Sequence, residues 1–325
     1  MGPYPHLNLD FYVFMQIYIK NCYFCNPNNQ YKKIEMKKIL VFFSVLALSA
    51  GIASAQSFEN ATNVAKQANA DLMDGEYQKA IDGFTAALDE ALKCEGDGVG
   101  ELVSTCKQGK VQAYWAYSNK LVKDGDLEGA LVKIDETIKE AQAQEDGEIE
   151  MKAEELKLQL NQALANAKIK EAASAADPQA KVACYNEAVK NLDAVLAANP
   201  NDGDAYLKKG QVMSALGKKA EAIECFTKAK ENGMDKAADK QLSTIYVKEA
   251  SAKLKAKDFD GAIAAANKSN EYLENANAYK IAGVACNSKK DLAGAEKYLS
   301  KYLEFNPGDA QIKAAVAAIQ AQLKK

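Results

Sequence analysis

Between about residue 60 and residue 320, apolar and small side chains recur at the three- and four-residue steps of amphipathic helices, interrupted by short polar turns. One turn signature repeats closely at 126–130, 258–262 and 291–295, each reading Asp-x-x-Gly-Ala. Looser copies stand at 75–80, 217–222 and 185–188. The leading Asp is a predicted N-cap for the helix that follows, because its carboxylate can accept an otherwise orphaned backbone N–H. Gly75, Gly125 and Gly217 suit the end of the helix before, where a left-handed residue closes the last turn.

The final Ala of each copy aligns the chain: Ala80, Ala130, Ala188, Ala222, Ala262 and Ala295. Twelve residues earlier stand Ala68, Ser118, Ala176, Gly210, Ala250 and Gly283, all small. Four residues later stand Phe84, Ile134, Leu192, Phe226, Ala266 and Leu299. Two antiparallel helices approach closely only where small residues face each other, and the large residue one turn on fills the groove between hairpins. These columns resemble the tetratricopeptide repeat, most clearly over 203–236 (Tyr206, Gly210, Ala222, Phe226, Ala229) and 276–309 (Tyr279, Gly283, Ala295, Leu299, Pro307). The resemblance implies an all-α fold, a right-handed α-solenoid of about six stacked helical hairpins spanning residues 56–325. It implies little about a particular activity.

Spacing between the aligning alanines is 50, 58, 34, 40 and 33 residues. The excess in the N-terminal half predicts longer helices or loops there, around the Gly-rich stretch 95–100 and around 144–150. A helix is expected to end near Ala176 and a longer one to start after Asp177, with Pro178 at its first position. Asp309 is the expected N-cap of a last helix from Ala310 to about Leu323, which would cover the open end of the stack.

The first 55 residues have another character. Residues 1–35 hold eight aromatics, three of the six Pro and the chain's single His, His6. Met36-Lys37-Lys38 then opens an apolar run over 39–53 that ends in Ala53-Ser54-Ala55. That is the layout of a cleaved export signal over 36–55, with translation starting at Met36 and 1–35 an extension outside the working protein. The run would span roughly 22 Å as a helix, short of a bilayer core. If it is not cleaved it is a membrane anchor; if it is, the protein is periplasmic or secreted with no membrane insertion.

Composition narrows the chemistry. All 41 basic residues are Lys, so no planar guanidinium fork is present for bidentate recognition of phosphate or carboxylate. A chain beginning at Gln56 has no His and carries 36 Lys against 42 acids, a net charge near −6, which argues against a nucleic-acid partner. A Ser-His-Asp or Cys-His arrangement cannot be assembled from it. No catalytic, cofactor or metal residue is assigned. Cys22-x-x-Cys25 lacks a second pair. Gly96, Gly98 and Gly100 do not have the spacing of a nucleotide loop. The oxygen-rich run 199–204 lacks a calcium loop's twelfth-position Glu and reads as a turn with Asp202 or Asp204 capping the next helix. Cys94 and Cys106 either close a short disulfide loop or pack as small core residues.

What remains is surface. In the resembled family the first helix of each hairpin lines the binding groove, which puts Leu207, Gln211, Lys280 and Asn287 outward. These positions do not supply the Lys/Asn/Arg set with which some members hold a C-terminal carboxylate. Trp115, in the aromatic cluster 114–117, is either core or a partner contact. The expected function is a non-catalytic, exported scaffold for a protein or peptide partner in the cell envelope. The alternatives are a carboxylate-based enzyme such as a glycan hydrolase, and a structural subunit that self-associates through a terminal repeat.

Overall fold

The computed structural model describes residues 52–324, with side chains from Gln56 onward. The segment expected to be an export signal, up to residue 51, and Cys22 and Cys25 lie outside the described residues. Among those described, thirteen α-helices account for the regular structure. They are α1 (Ile52–Asp74), α2 (Tyr77–Ala91), α3 (Val99–Asp124), α4 (Leu127–Ala143), α5 (Gly147–Ser174), α6 (Pro178–Ala198), α7 (Gly203–Ala215), α8 (Lys219–Glu231), α9 (Asp235–Lys255), α10 (Phe259–Tyr272), α11 (Ala276–Ser288), α12 (Leu292–Phe305) and α13 (Ala310–Leu323). The chain divides into two compact units, one ending at Glu154 and the other starting at Glu155.

The helix starts follow local chemistry. Asp126, Asp258 and Asp291 accept hydrogen bonds from the backbone N–H of Gly129, Gly261 and Gly294, each at 2.9 Å. The Gly three residues after each Asp has a steric reason: a Cβ there would collide with the capping carboxylate itself. Asp177 caps α6 with Pro178 in its first turn, as the sequence predicts, and Asp309 caps α13 through the N–H of Ile312. The turn copy at 185–188 is different: it lies inside α6, whose 21 residues run through it. The long alanine spacings of the N-terminal half are taken up by helix length, 26 residues in α3 and 28 in α5.

Gly125 closes α3 in the left-handed region at φ 83°. The corresponding residues before Asp258 and Asp291 are Lys257 and Lys290, both at φ 63°. A left-handed L-residue costs about 1–2 kcal/mol, part of which Gly returns as unfolded-chain entropy. Lys257→Gly and Lys290→Gly are each expected to raise stability by about 0.5–1 kcal/mol, read as a higher urea midpoint. Unchanged midpoints in both variants would remove backbone strain from this account.

In the N-terminal unit α1 pairs with α2 and α3 with α4, while α3 also packs on both helices of the first hairpin. Its core joins Ala61, Ala65, Ala68, Ile81, Phe84, Leu102, Cys106 and Ala113. Phe84 fills the groove that Gly109 leaves open, where a Cβ would stand 2.5 Å from its ring. Between α3 and α4 the buried hydroxyls of Ser118 and Thr137 share a 3.0 Å hydrogen bond.

In the C-terminal unit the hairpins α7/α8, α9/α10 and α11/α12 follow one another, with α13 against α12. The first helices also touch in order, α7 to α9 to α11. Phe226 is fully buried, with Leu207, Met213, Ala229, Ala238, Leu242 and Ile245 in its cluster, and Gly210 lies against its ring. Ser243 and Ser269 form a buried hydroxyl pair at 2.8 Å between α9 and α10.

Candidate functional site

A surface able to receive a partner must be spared by packing, so the question is which positions the neighbouring helices leave uncovered. The clearest case is α9. One side faces α8, where Glu249 pairs with Lys219 and Asp239 accepts from Lys230 at 2.7 Å. Another faces α10 through Ser243 and Ala250. Leu242 and Ile245 join the cluster containing Leu207 of α7, and Val247 joins that of Ala278 and Ala282 of α11. One strip stays open at the steps of a helical face: Lys240, Thr244, Lys248 and Lys255 are exposed, with Ser251 half-buried among them.

The flanking first helices continue this open face. On α7 it shows Asp204, Lys208, Gln211 and Ala215, with Lys208 and Asp204 in a 2.7 Å ion pair. On α11 it shows Asn277, Val284 and Ser288. The sequence-derived positions divide accordingly. Gln211 and Asn287 are exposed. Leu207 is not outward: it is 8% exposed and packs toward α9 in the Phe226 cluster. Lys280 is held by α13, pairing at 3.3 Å with Asp309, which also accepts from the Tyr302 hydroxyl at 2.9 Å. The N–H of Ile312, then the Tyr302 hydroxyl and the Lys280 charge, hold the Asp309 carboxyl below its ordinary range.

Trp115 is 6% exposed, so the N-terminal unit uses it as core. Its indole N–H is buried with no acceptor. Its neighbours in sequence point elsewhere: Tyr117 stacks on Tyr77 at 6.0 Å between centroids, with the Lys133 ammonium 5.2 Å from the Tyr117 ring. Lys110 and Glu140 bridge α3 and α4 at 2.9 Å.

Sequence reasoning reached Tyr206 and Tyr279 as repeat positions but missed the column they belong to. Tyr114, Tyr206, Tyr246 and Tyr279 each precede the small residue of their first helix by four positions. Tyr246 stacks on Tyr272, and Tyr279 meets Phe305 with the rings tilted by 31°, both partners lying 26 residues along. Lysines from adjacent helices lie over several of these rings, among them Lys228 over Tyr206 and Lys219 over Tyr246. The column tightens contacts between successive elements and leaves the strip on α9 clear.

The five described cysteines are free thiols, and Cys94 donates to the Glu90 carbonyl at 3.3 Å. Burial pushes the Cys106 thiol up to about 12, out of reach of nucleophilic use near neutral pH. Asp202 caps α7 through the N–H of Ala205, the turn reading of 199–204. Among the described residues no group of three or more His, Cys, Asp or Glu is arranged to hold a metal ion, and no helix is long and apolar enough to cross a membrane.

Residues 185–237 and 247–310 match the tetratricopeptide repeat family. Among solved structures the chain is similar to MamA, at 19% identity over 62% of this chain and 94% of that one, with a TM-score of 0.32. It is also similar to YrrB, a TPR protein with an unusual peptide-binding site, at 19% identity, 62% and 90% coverage and a TM-score of 0.30. A third is PilW, a type IV pilus biogenesis factor, at 14% identity, 79% and 98% coverage and a TM-score of 0.32. No curated protein matches the chain.

Proposed function

Residues 185–237 and 247–310 being tetratricopeptide repeats, we propose that the chain is a non-catalytic scaffold that binds a protein or peptide partner across the open face of α7, α9 and α11. The observation that carries this reading is the strip on α9. Four neighbouring helices occupy its other sides, yet Lys240, Thr244, Lys248 and Lys255 stay exposed along one helical face, with Ser251 half-buried among them. A rigid array of helices presents such a face preformed, so ordering costs on binding fall mainly on the ligand. The carboxylates that an enzyme of this composition would need are largely committed to caps and lysine pairs, as in Asp258 with Gly261 and Lys253.

Site-specific photocrosslinking tests the reading. A crosslinker at Gln211, Thr244 or Asn287 is expected to capture one reproducible partner from native envelopes, and crosslinkers at Glu224 and Glu304 on the second helices are not. Equal capture from both sets, or none from the first, would overturn it. We place this activity outside the cytoplasm, on the strength of the 36–55 segment. Edman sequencing of the envelope-purified protein should then begin at Gln56, and a start at residue 36 or earlier would sink the export step.

A further inference from the structure

We propose that the open strip of α9 docks an acidic peptide segment in extended conformation, with carboxylates recurring every third or fourth residue. The inference rests on the open-face reading above and adds the chemistry of the occupant. Lys240, Lys248 and Lys255 are exposed, and among the described residues none has an anionic partner. Most other lysines of the unit do: Lys209 with Asp193, Lys219 with Glu249, Lys230 with Asp239, Lys253 with Asp258 and Lys289 with Asp260. Of the three acids of α9, Asp239 and Glu249 serve α8 on its covered side, and the third, Asp235, is the exposed first residue of the helix, off the strip. What surrounds the strip adds little negative charge. Asp204 on α7 is neutralised by Lys208, and the facing residues of α11, Asn277, Val284 and Ser288, are uncharged.

Three unpaired cations therefore stand together on a chain whose net charge is −3. Like charges held on one rigid face raise the local potential and favour an anionic ligand there, whatever the overall sign. Spacing selects the kind of anion. At 1.5 Å per helical residue the three lysines are about 12 and 10 Å apart along the axis, and an extended peptide covers that in three to four residues at about 3.3 Å each. Between the lysines the Thr244 hydroxyl donates to the Lys240 carbonyl at 2.8 Å, which leaves its oxygen able to accept from a peptide N–H. Lysine is a point charge suited to a single carboxylate, and the chain has no arginine fork for paired phosphate oxygens.

The test is fluorescence anisotropy of a labelled peptide with Glu at every third or fourth position, against an isomer with the same Glu residues in one block and a Lys-for-Glu analogue. The spaced peptide is expected to bind the full chain best and to weaken with added salt. The triple variant K240E/K248E/K255E is expected to lose at least about tenfold in affinity, or 1.4 kcal/mol, and to take up the Lys analogue instead. All three side chains are exposed, so its thermal midpoint should match the wild type. If it does not, K240Q/K248Q/K255Q serves in its place, with the same loss expected. No binding by wild type, equal binding by the triple variant, or tighter binding of single-stranded DNA or phosphatidylglycerol vesicles than of the spaced peptide would each overturn the proposal. Capture of a partner at Thr244 together with failure of the peptide discards the acidic occupant alone. Failure of both discards the open-face reading too.

Discussion

Phe226→Ala is expected to lower the stability of the C-terminal unit by about 3–5 kcal/mol, the usual cost of emptying a fully buried aromatic site. The ring is inaccessible to solvent and packs within one hairpin and against the next, in a cluster that includes Met213 of α7 and Leu242 of α9. Hydrogen exchange at amides of 203–245, with urea denaturation followed by circular dichroism, reads the loss. Gly210 makes the expectation sharper. A Cβ at that position would stand 2.6 Å from the ring, so Gly210→Ala alone should destabilise by about 1–3 kcal/mol through overpacking. With the ring removed the collision disappears. Gly210→Ala in the Phe226→Ala background should then stabilise by about 1 kcal/mol, the helix preference of Ala over Gly. The same sign in both backgrounds would mean that the small-residue column is not set by contact with the large one.

Trp115→Ala is the second large effect, about 3–5 kcal/mol from the N-terminal unit. Trp115→Phe should cost less than about 1.5 kcal/mol, because the shorter ring keeps much of the packing and removes an N–H buried without an acceptor. Exchange protection in α3 and α4 distinguishes them. A cost below about 1 kcal/mol for Trp115→Ala would show that the side chain is not part of the core, and would return it to the set of partner contacts.

The features legible in the sequence are those set within one turn of chain. Asp126, Asp258, Asp291 and Asp309 each needed only a carboxylate three residues before a free N–H, and Pro178 needed only its fixed φ. The hairpin partnership of Gly210 with Phe226 was readable because it recurs with the repeat. Positions chosen as outward fared differently, because a neighbour far along the chain decides whether a helix face is covered. Lys280 is claimed by Asp309, 29 residues away, and Leu207 is covered by α9. The strip on α9 could have been found without coordinates. Lys240, Thr244, Lys248, Ser251 and Lys255 follow at three- and four-residue steps with no acid among them. It was missed because outward positions were read from the two repeats nearest to standard length, and α9, at 21 residues, belongs to neither.

The burial of Trp115 has an optical consequence. It is the chain's single indole and lies in the N-terminal unit, so intrinsic emission excited at the red edge reports the packing of α3's surroundings. A ligand cannot quench that emission by touching a ring that is 6% exposed. A flat titration at this wavelength would therefore carry no information about occupancy of Lys240, Lys248 and Lys255. The light needed to follow binding has to come from the ligand, or from a fluorophore placed on the open face itself.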